Sequence, residues 1–341
     1  MSLENGRPDT LRFTDLFCGI GGFHTAAKLV CEEQGIASSC VFSSDIDTDA
    51  QQAYEANFGE KPKGDITKII ASDVPDHDVL FAGFPCQPFS ICGERKGFDD
   101  ARGTLFFDIA RILAEKRPRA FVLENVKLLS NHDKGRTLQR ILEVLEGLGY
   151  HVHHRILNAL HFGLPHKRER IFIVGFREPL QFQFPVGNAP MRALSDILEE
   201  NVPSFYLASE KIRQSRQEKY TGKTHDEPTI WHENKGGHIS AYPYSCALRA
   251  GASYNYLLVN GERRLTEREM LRLQGFPDTY KIACSYGATR KQAGNSVAVP
   301  CVAAVFRSVL TALCRAEQNS SYLSHLTFQR EQGKGVLRGF H

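Results

Sequence analysis

The strongest constraint on the fold comes from the first 180 or so residues, where short β-type runs alternate with segments of helical period. Strands are predicted at 11–17, 40–46, 78–84, 120–126, 151–160 and 170–176. Between the third and fourth, Leu105, Phe106, Ile109, Ile112 and Leu113 share one helix face. Leu138, Ile141, Leu142, Leu145 and Leu148 share another, which Gly149 stops. Strands separated by helical crossovers form a largely parallel sheet covered on both faces, so the pattern predicts a doubly wound, Rossmann-like α/β fold. After about Pro185 the rhythm is lost, and Pro, Gly, Tyr and His become frequent around the single tryptophan, Trp231. A second unit is expected over 186–283. From 297 to 316 the chain is again apolar with helical spacing once past Pro300, and from Gln318 it turns polar.

A hydrophobic fraction of 42% with 24% charged residues is globular composition, far from that of disordered chains. No apolar run is read as long enough for a membrane span, and the opening Met-Ser-Leu-Glu-Asn is too polar for a signal peptide, so a cytoplasmic protein is expected. The nine cysteines are scattered and never spaced Cys-x-x-Cys, which indicates neither a disulfide framework nor a zinc ribbon. A net charge of +3 pulls only weakly toward nucleic acid.

The first strand runs into Cys18-Gly19-Ile20-Gly21-Gly22-Phe23 and then a helical segment. Backbone amides of such a turn face the carboxyl end of the sheet, where ligands of these folds bind. The spacing G-x-G-G departs from the dinucleotide pattern, since residue 24 is His, and a compact nucleoside fits better than a pyrophosphate. Asp45, 26 residues beyond Gly19, is placed to accept ribose hydroxyls, and Asp65 in Gly-Asp-Ile-Thr is expected to end a further short strand. Taken singly, either carboxylate reads as a turn or cap residue.

The third strand ends in Gly83-Phe-Pro85-Cys86-Gln87-Pro88. Two prolines fix the backbone and deny it ladder bonds or helix continuation, which puts the Cys86 thiol on a rigid loop at the ligand end. Thiolate is the nucleophilic form, and nearby cations favour it. Residues 92–103 are polar with three glycines, suited to a mobile lid or to a plain surface loop. The fourth strand delivers Glu124 and Asn125 after an apolar run, and burial would raise the Glu124 pKa so that it holds a proton. In His166-Lys-Arg168-Glu-Arg170, period two puts both arginines on one face, as an anion clamp or as a solvated charge run.

In order, FCGIGG, SSDID, GDIT, GFPCQPFSICG, KGFDDARGTLFFDIARIL, ENV, NALHFGLPHKRERIFIVGF, LTEREMLRLQGFPDTY and QAGNSVAVP resemble the blocks of the prokaryotic DNA (cytosine-5) methyltransferases. They cover most of 11–176 and 262–310, and the remainder, about 186–260, falls where that family keeps its variable target-recognition region. The resemblance implies an S-adenosylmethionine-dependent methyltransferase fold, with a mixed sheet and a smaller, mostly β or irregular recognition domain. The implied organisation is a catalytic and cofactor-binding domain over 1–185, recognition over 186–283, a segment over 284–317 returning to the catalytic domain, and a polar tail over 318–341.

It further implies that a cytosine is swung out of double-stranded DNA, since its ring edge is out of reach inside the stack. Cys86 then adds to carbon 6, Glu124 serves ring nitrogen 3, and carbon 5 takes the methyl group, with S-adenosylhomocysteine as product and no metal. Asn125 orients its neighbour, while Arg168 and Arg170 hold the base carbonyl and the catalytic groups. By the same matching, Phe17, Gly19, Ile20, Gly21 and Gly22 cradle the cofactor, Asp45 takes the ribose, and Ile46, Asp65 and Ile66 take the adenine. Gly83, Pro85, Leu105, Asn295, Ser296 and Val297 complete that pocket. DNA contacts are expected from Gln87, Ser90 and Arg102, from Lys235, Gly236, Gly237 and His238 in a recognition loop, and from Arg249. Residues 190–240 carry seven Lys+Arg against eight Asp+Glu, so affinity there must come from a few placed contacts rather than bulk charge.

Two positions depart from the family pattern: Ile46 stands where relatives often have an aromatic, and His166 replaces a common glutamine. A monomer acting on DNA is expected, in the company of a restriction endonuclease for the same site. A transfer-RNA cytosine-5 methyltransferase would share Cys86 and Glu124, but the long middle region and the uninterrupted 92–103 segment favour DNA. Against a catalytically silent binding module stand the intact Pro85-Cys86-Gln87 and Glu124-Asn125-Val126. The glycine spacing is wrong for a nicotinamide oxidoreductase.

Overall fold

The computed structural model describes residues 10–85, 105–223 and 225–335, with side chains as far as Gln318. The first half alternates strand and helix: β1 (Leu11–Leu16), α1 (Gly22–Glu33), β2 (Ser38–Ser44), α2 (Thr48–Phe58), β3 (Val79–Gly83), α3 (Leu105–Lys116), β4 (Ala120–Val126) and α4 (Arg136–Gly147). Then come β5 (His151–Asn158), the two-residue β6 (His166–Lys167) and β7 (Glu169–Phe176). Six strands form one sheet in the order β2-β1-β3-β4-β7-β5. β1 to β4 run parallel, and β7 lies antiparallel to both β4 and β5. All six strands read from the sequence belong to this sheet.

Successive side chains of a strand point to opposite faces, and the buried residues divide accordingly. Phe13, Phe81 and Val122 pack with Ala27 and Val30 of α1 and with Phe306 and Val309 of α8 (Val299–Gly335). Leu80, Phe121 and Leu123 pack on the other face, with Phe106, Ile109 and Leu113 of α3 and Ile141 and Leu145 of α4. Because β2 and β3 flank β1 on opposite sides, the chain reverses its winding there, and the crevice at the carboxyl ends of β1 and β3 is the natural ligand site.

The later half holds α5 (Glu210–Lys219), β8 (Ile230–Glu233), β9 (Ile239–Tyr242), β10 (Ser245–Cys246), β11 (Leu257–Val259), α6 (Glu267–Leu273) and α7 (Tyr286–Asn295). β11, β8 and β9 make a small antiparallel sheet over a separate core that includes Leu194, Ile230, Leu257 and Met270. β10 pairs with β6, linking this part to the chain just before β7.

Two readings change. Lys63 makes only an isolated bridge to Ser44, and Asp65 opens a short 3-10 turn at Ile66–Lys68 instead of ending a strand. Its carboxylate accepts from the Thr67 amide and hydroxyl, a local alternative to ladder bonding. An apolar window within Tyr286–Gln318 does reach membrane-span length and hydropathy, and 67% of it is buried; α8 is apolar because it fills the core between sheet and α1. That helix also continues to Gly335, through the segment read as a polar tail.

Asp15 of β1 is fully buried, and burial drives its carboxyl well above the usual carboxylate range, against the pull of the His24 backbone amide. A raised native pKa means stability that is full below the unfolded value and is lost as pH rises through the native one. Asp15→Asn cannot titrate, so its stability relative to wild type is expected to improve as pH rises through that window. Urea melts across pH check this, and a pH-independent difference would contradict it.

Candidate active site

The carboxyl ends of β1 to β4 open into one cavity of about 430 Å³. Its floor is the glycine turn. Phe17 adopts φ 54°, Gly21 donates to the Cys18 carbonyl at 2.8 Å, and the chain enters α1 at Gly22. Phe17, Gly19 and Gly22 line the cavity. Ile20 and Gly21 do not: Ile20 is buried and its carbonyl accepts from Tyr280 Oη at 2.8 Å, while Gly21 lies against the Phe58 ring. These two support the turn from behind.

Gly22 faces Ser296 and Val297 so closely that a Cβ there would lie 2.6 Å from Val297 Cγ2 and 3.0 Å from Ser296 Oγ. Overpacking of this kind costs about 1–3 kcal/mol. Gly22→Ala is therefore expected to lower both thermal stability and cofactor affinity; a variant with unchanged melting and unchanged cofactor titration would show that the approach is not needed.

Asp45 follows β2 and is locked by two backbone amides, Gly19 donating to Oδ2 and Asp47 to Oδ1, each at 2.8 Å. Burial raises its pKa and the amides draw it back. Each oxygen keeps lone-pair capacity beyond these bonds. Ile46, 71% exposed, presents a bare aliphatic face to the same cavity as Ile66 and Asp65. Hydrogen bonds from Thr67 hold Asp65 below the usual carboxylate range. Gly83, Pro85 and Leu105 line the cavity from the β3 end and α3, and Asn295, Ser296 and Val297 from the end of α7 and the turn after it.

Lys291 and Asp47 also line it and were not singled out by sequence. Their ion pair, 2.6 Å from Nζ to Oδ2, joins α7 to the N-terminus of α2, which Asp47 caps. Burial pushes the Asp47 carboxyl up, but Lys291 and the Ala50 and Asp49 amides together outweigh it and leave the group below its usual value. The cap signal, Asp-Thr-Asp before a helix, was available in the sequence; the partner 244 residues away was not.

At the β4 end, Glu124 is 7% exposed and sits 3.0 Å from Arg170 Nε. Burial raises its pKa even though Arg170 and Arg168 pull it down. Asn125 donates to the Phe84 carbonyl at 2.9 Å, bracing the backbone one residue before Pro85. Cys86, Gln87, Ser90 and Arg102 lie outside the described residues.

Arg168 and Arg170 both line the cavity and both act on Glu124, but they are held by different partners. Arg168 precedes β7, is 2% exposed, and its guanidinium donates to the carbonyls of Leu248, Gly294 and Ser296. Burial, with Arg170 beside it, lowers its pKa to about 9. It lines the cavity while tying the post-α7 turn to the segment after β10.

Lys235, Gly236, Gly237 and His238 lie outside the cavity, in the tight hairpin between β8 and β9, where Asn234 Oδ1 accepts from the Gly236 and His238 amides. Arg249 is exposed, with its guanidinium 4.8 Å from the Tyr256 ring centre.

Residues 11–311 match the family model for C-5 cytosine-specific DNA methylase. The chain is 56% identical over 308 residues to the type II methyltransferase M.NgoBI of Neisseria gonorrhoeae, spanning 89% of this chain and 94% of that protein. With the type II methyltransferase M.HaeII of Haemophilus aegyptius the identity is 55% over 301 residues, 88% and 92% of the two chains. The fold is similar to that of the S. pombe Dnmt2 methyltransferase, with a TM-score of 0.66 at 21% identity over 89% of this chain and 99% of that one. The family model extends across the glycine turn, the Glu124 strand and the post-α7 turn that together form the cavity, and the chain belongs to the C-5 cytosine-specific DNA methylase family.

Proposed function

We propose that the protein transfers a methyl group from S-adenosylmethionine to carbon 5 of a cytosine flipped out of a specific double-stranded DNA sequence, with Cys86 as nucleophile. The observation that carries this reading is Glu124, buried and 3.0 Å from Arg170 Nε on the wall of the cavity that begins at the glycine turn, where burial raises its pKa. The family uses S-adenosylmethionine, and the residues present fit it: a glycine turn without side chains, the amide-locked carboxylate of Asp45 for vicinal hydroxyls, and the bare aliphatic surface of Ile46 for a flat ring.

The chain's own groups divide the work. The Cys86 thiolate forms a bond to carbon 6, and ring electrons shift toward nitrogen 3, where Glu124 delivers its proton. Arg170 fixes the carboxyl group in place, and Asn125 holds the strand end that leads to Cys86. Carbon 5 thereby becomes nucleophilic. When bound, S-adenosylmethionine supplies the electrophilic methyl group and leaves as S-adenosylhomocysteine. Loss of the carbon 5 proton to a base, expulsion of the Cys86 thiolate and return of the nitrogen 3 proton to Glu124 then restore the neutral aromatic ring and the enzyme.

Residues 186–283 serve target recognition in this reading, through the exposed hairpin at 234–238 and through Arg249, with Gln87, Ser90 and Arg102 as further DNA contacts. A companion endonuclease for the same site, and action as a monomer, complete it. Labelled S-adenosylmethionine offered with unmodified duplex DNA or with transfer RNA tests the substrate class. Label is expected in the duplex; label in RNA alone would overturn the reading.

A further inference from the structure

His166 is wholly buried, and both of its ring nitrogens are engaged by backbone on separate elements. Nε2 lies 3.1 Å from the Leu248 amide, which can only donate, and Nδ1 lies 3.0 Å from the Leu273 carbonyl, which can only accept. Those partners fix a neutral ring with its proton on Nδ1. The Leu248 peptide is gripped from its other side as well, since its carbonyl accepts from Arg168 Nη1 at 3.3 Å. Arg168 in turn holds Gly294 and Ser296 on the cavity wall.

Beyond Leu248 the chain enters the stretch 249–256, which is held along its length. The Arg249 amide donates to Tyr256 Oη, Arg290 donates to the carbonyls of Ala250 and Ala252, and the Asn255 carbonyl accepts from Arg216. Gly294 presses against its start, where a Cβ would lie 2.4 Å from the Ala250 nitrogen. The His166 ring is thus the pin that sets this stretch against α6 and β6, one residue before the exposed Arg249.

We infer that His166 is a positioning residue which, by bridging Leu273 and Leu248, sets the register of the 249–256 stretch relative to the cavity and so governs productive engagement of the DNA. The inference rests on the proposed methylation of DNA. A two-ended donor and acceptor of similar reach can replace the ring, whereas an apolar side chain cannot, because it leaves both backbone groups unpaired. A displacement on the order of 1 Å at a positioned group can cost 100-fold in rate.

The test compares His166→Leu, His166→Gln and wild type in steady-state methylation of duplex DNA, with cofactor affinity and thermal melting measured on each. His166→Leu is expected to lose about 10–100-fold in kcat/KM for DNA while its cofactor affinity stays near wild type, and His166→Gln to recover most of that loss. A Leu variant equal to wild type, or a Gln variant as poor as the Leu variant, would overturn the inference while leaving the methylation itself intact. Should His166→Leu not fold, ¹⁵N spectra of the wild-type histidine rings decide: one ring protonated on Nδ1 and bare on Nε2, unchanged as acid titrates exposed imidazoles, supports the assignment. A ring 166 protonated on Nε2 contradicts it. Absence of DNA methylation in the wild type would instead sink the functional reading, and that result is separable because the ring spectrum does not depend on activity.

Discussion

Cys86→Ala abolishes methyl transfer, with an expected loss on the order of 10⁶ in kcat, the scale seen when a covalent nucleophile is removed. Cys86→Ser falls nearly as far, because a serine hydroxyl is not ionised at neutral pH. Both substitutions leave the residues of the glycine turn, Asp45 and Ile46 unchanged, so S-adenosylmethionine binding is expected to stay within a few-fold of wild type by calorimetry. The two readouts together carry the assignment. Loss of binding along with turnover would assign Cys86 to the cofactor pocket, and retained turnover would remove it from the chemistry.

Glu124→Gln is expected to lose about 10²–10⁴ in kcat, the contribution of a placed general acid. Glutamine keeps the shape of the side chain but cannot hand over a proton. Glu124→Ala is expected to be worse, because it leaves the partly buried Arg170 guanidinium without its partner, and breaking such a pair costs about 3–5 kcal/mol. The pH dependence follows from the direction of the shift. Burial raises the Glu124 pKa, so its proton persists above the usual carboxylate range and is lost as pH rises through the raised value. The rate should therefore fall on the alkaline side of that pKa, opposite in sign to the gain from ionising the Cys86 thiol, and the product is a bell. In Glu124→Gln the alkaline fall disappears. Replacing Arg170 with Met removes a cation that draws the Glu124 pKa down, which moves the alkaline limb to higher pH while lowering the maximum. A Glu124→Gln profile that keeps the wild-type alkaline limb would place the proton elsewhere.

Much of the fold was legible because a mostly parallel sheet buried on both faces writes itself as short apolar runs at crossover spacing; all six strands of the main sheet lie where those runs do. The ends of the strands were legible for the same reason, since the residues that break each run, Gly19, Asp45, Pro85 and Glu124, are those that line the cavity. What escaped was settled by distant or very local partners. Arg168 and Arg170 both reach the cavity, but the strand begins only at Glu169, and the carbonyls that hold the Arg168 guanidinium, up to 128 residues away, are carried by no local period. Asp65 was expected at a strand end, and its side chain instead bonds two residues onward to Thr67. The apolar stretch in α8 was underestimated because its charges are few and its neighbours, not its own sequence, decide that it is core. His166 was noted only as a departure from a familiar pattern; that its ring joins Leu273 and Leu248 depends on separations of 107 and 82 residues that no local pattern carries.

In this mechanism carbon 5 of cytosine in duplex DNA receives the methyl group. Wild-type protein incubated with deuterated-methyl S-adenosylmethionine and DNA from an unmodified host, followed by digestion to nucleosides and mass spectrometry, tests it directly. The account predicts labelled 5-methyl-2′-deoxycytidine that is absent when Cys86→Ala replaces the wild type. Label on the exocyclic nitrogen of cytosine or of adenine, or labelled 5-methyl-2′-deoxycytidine that persists in Cys86→Ala, would contradict it.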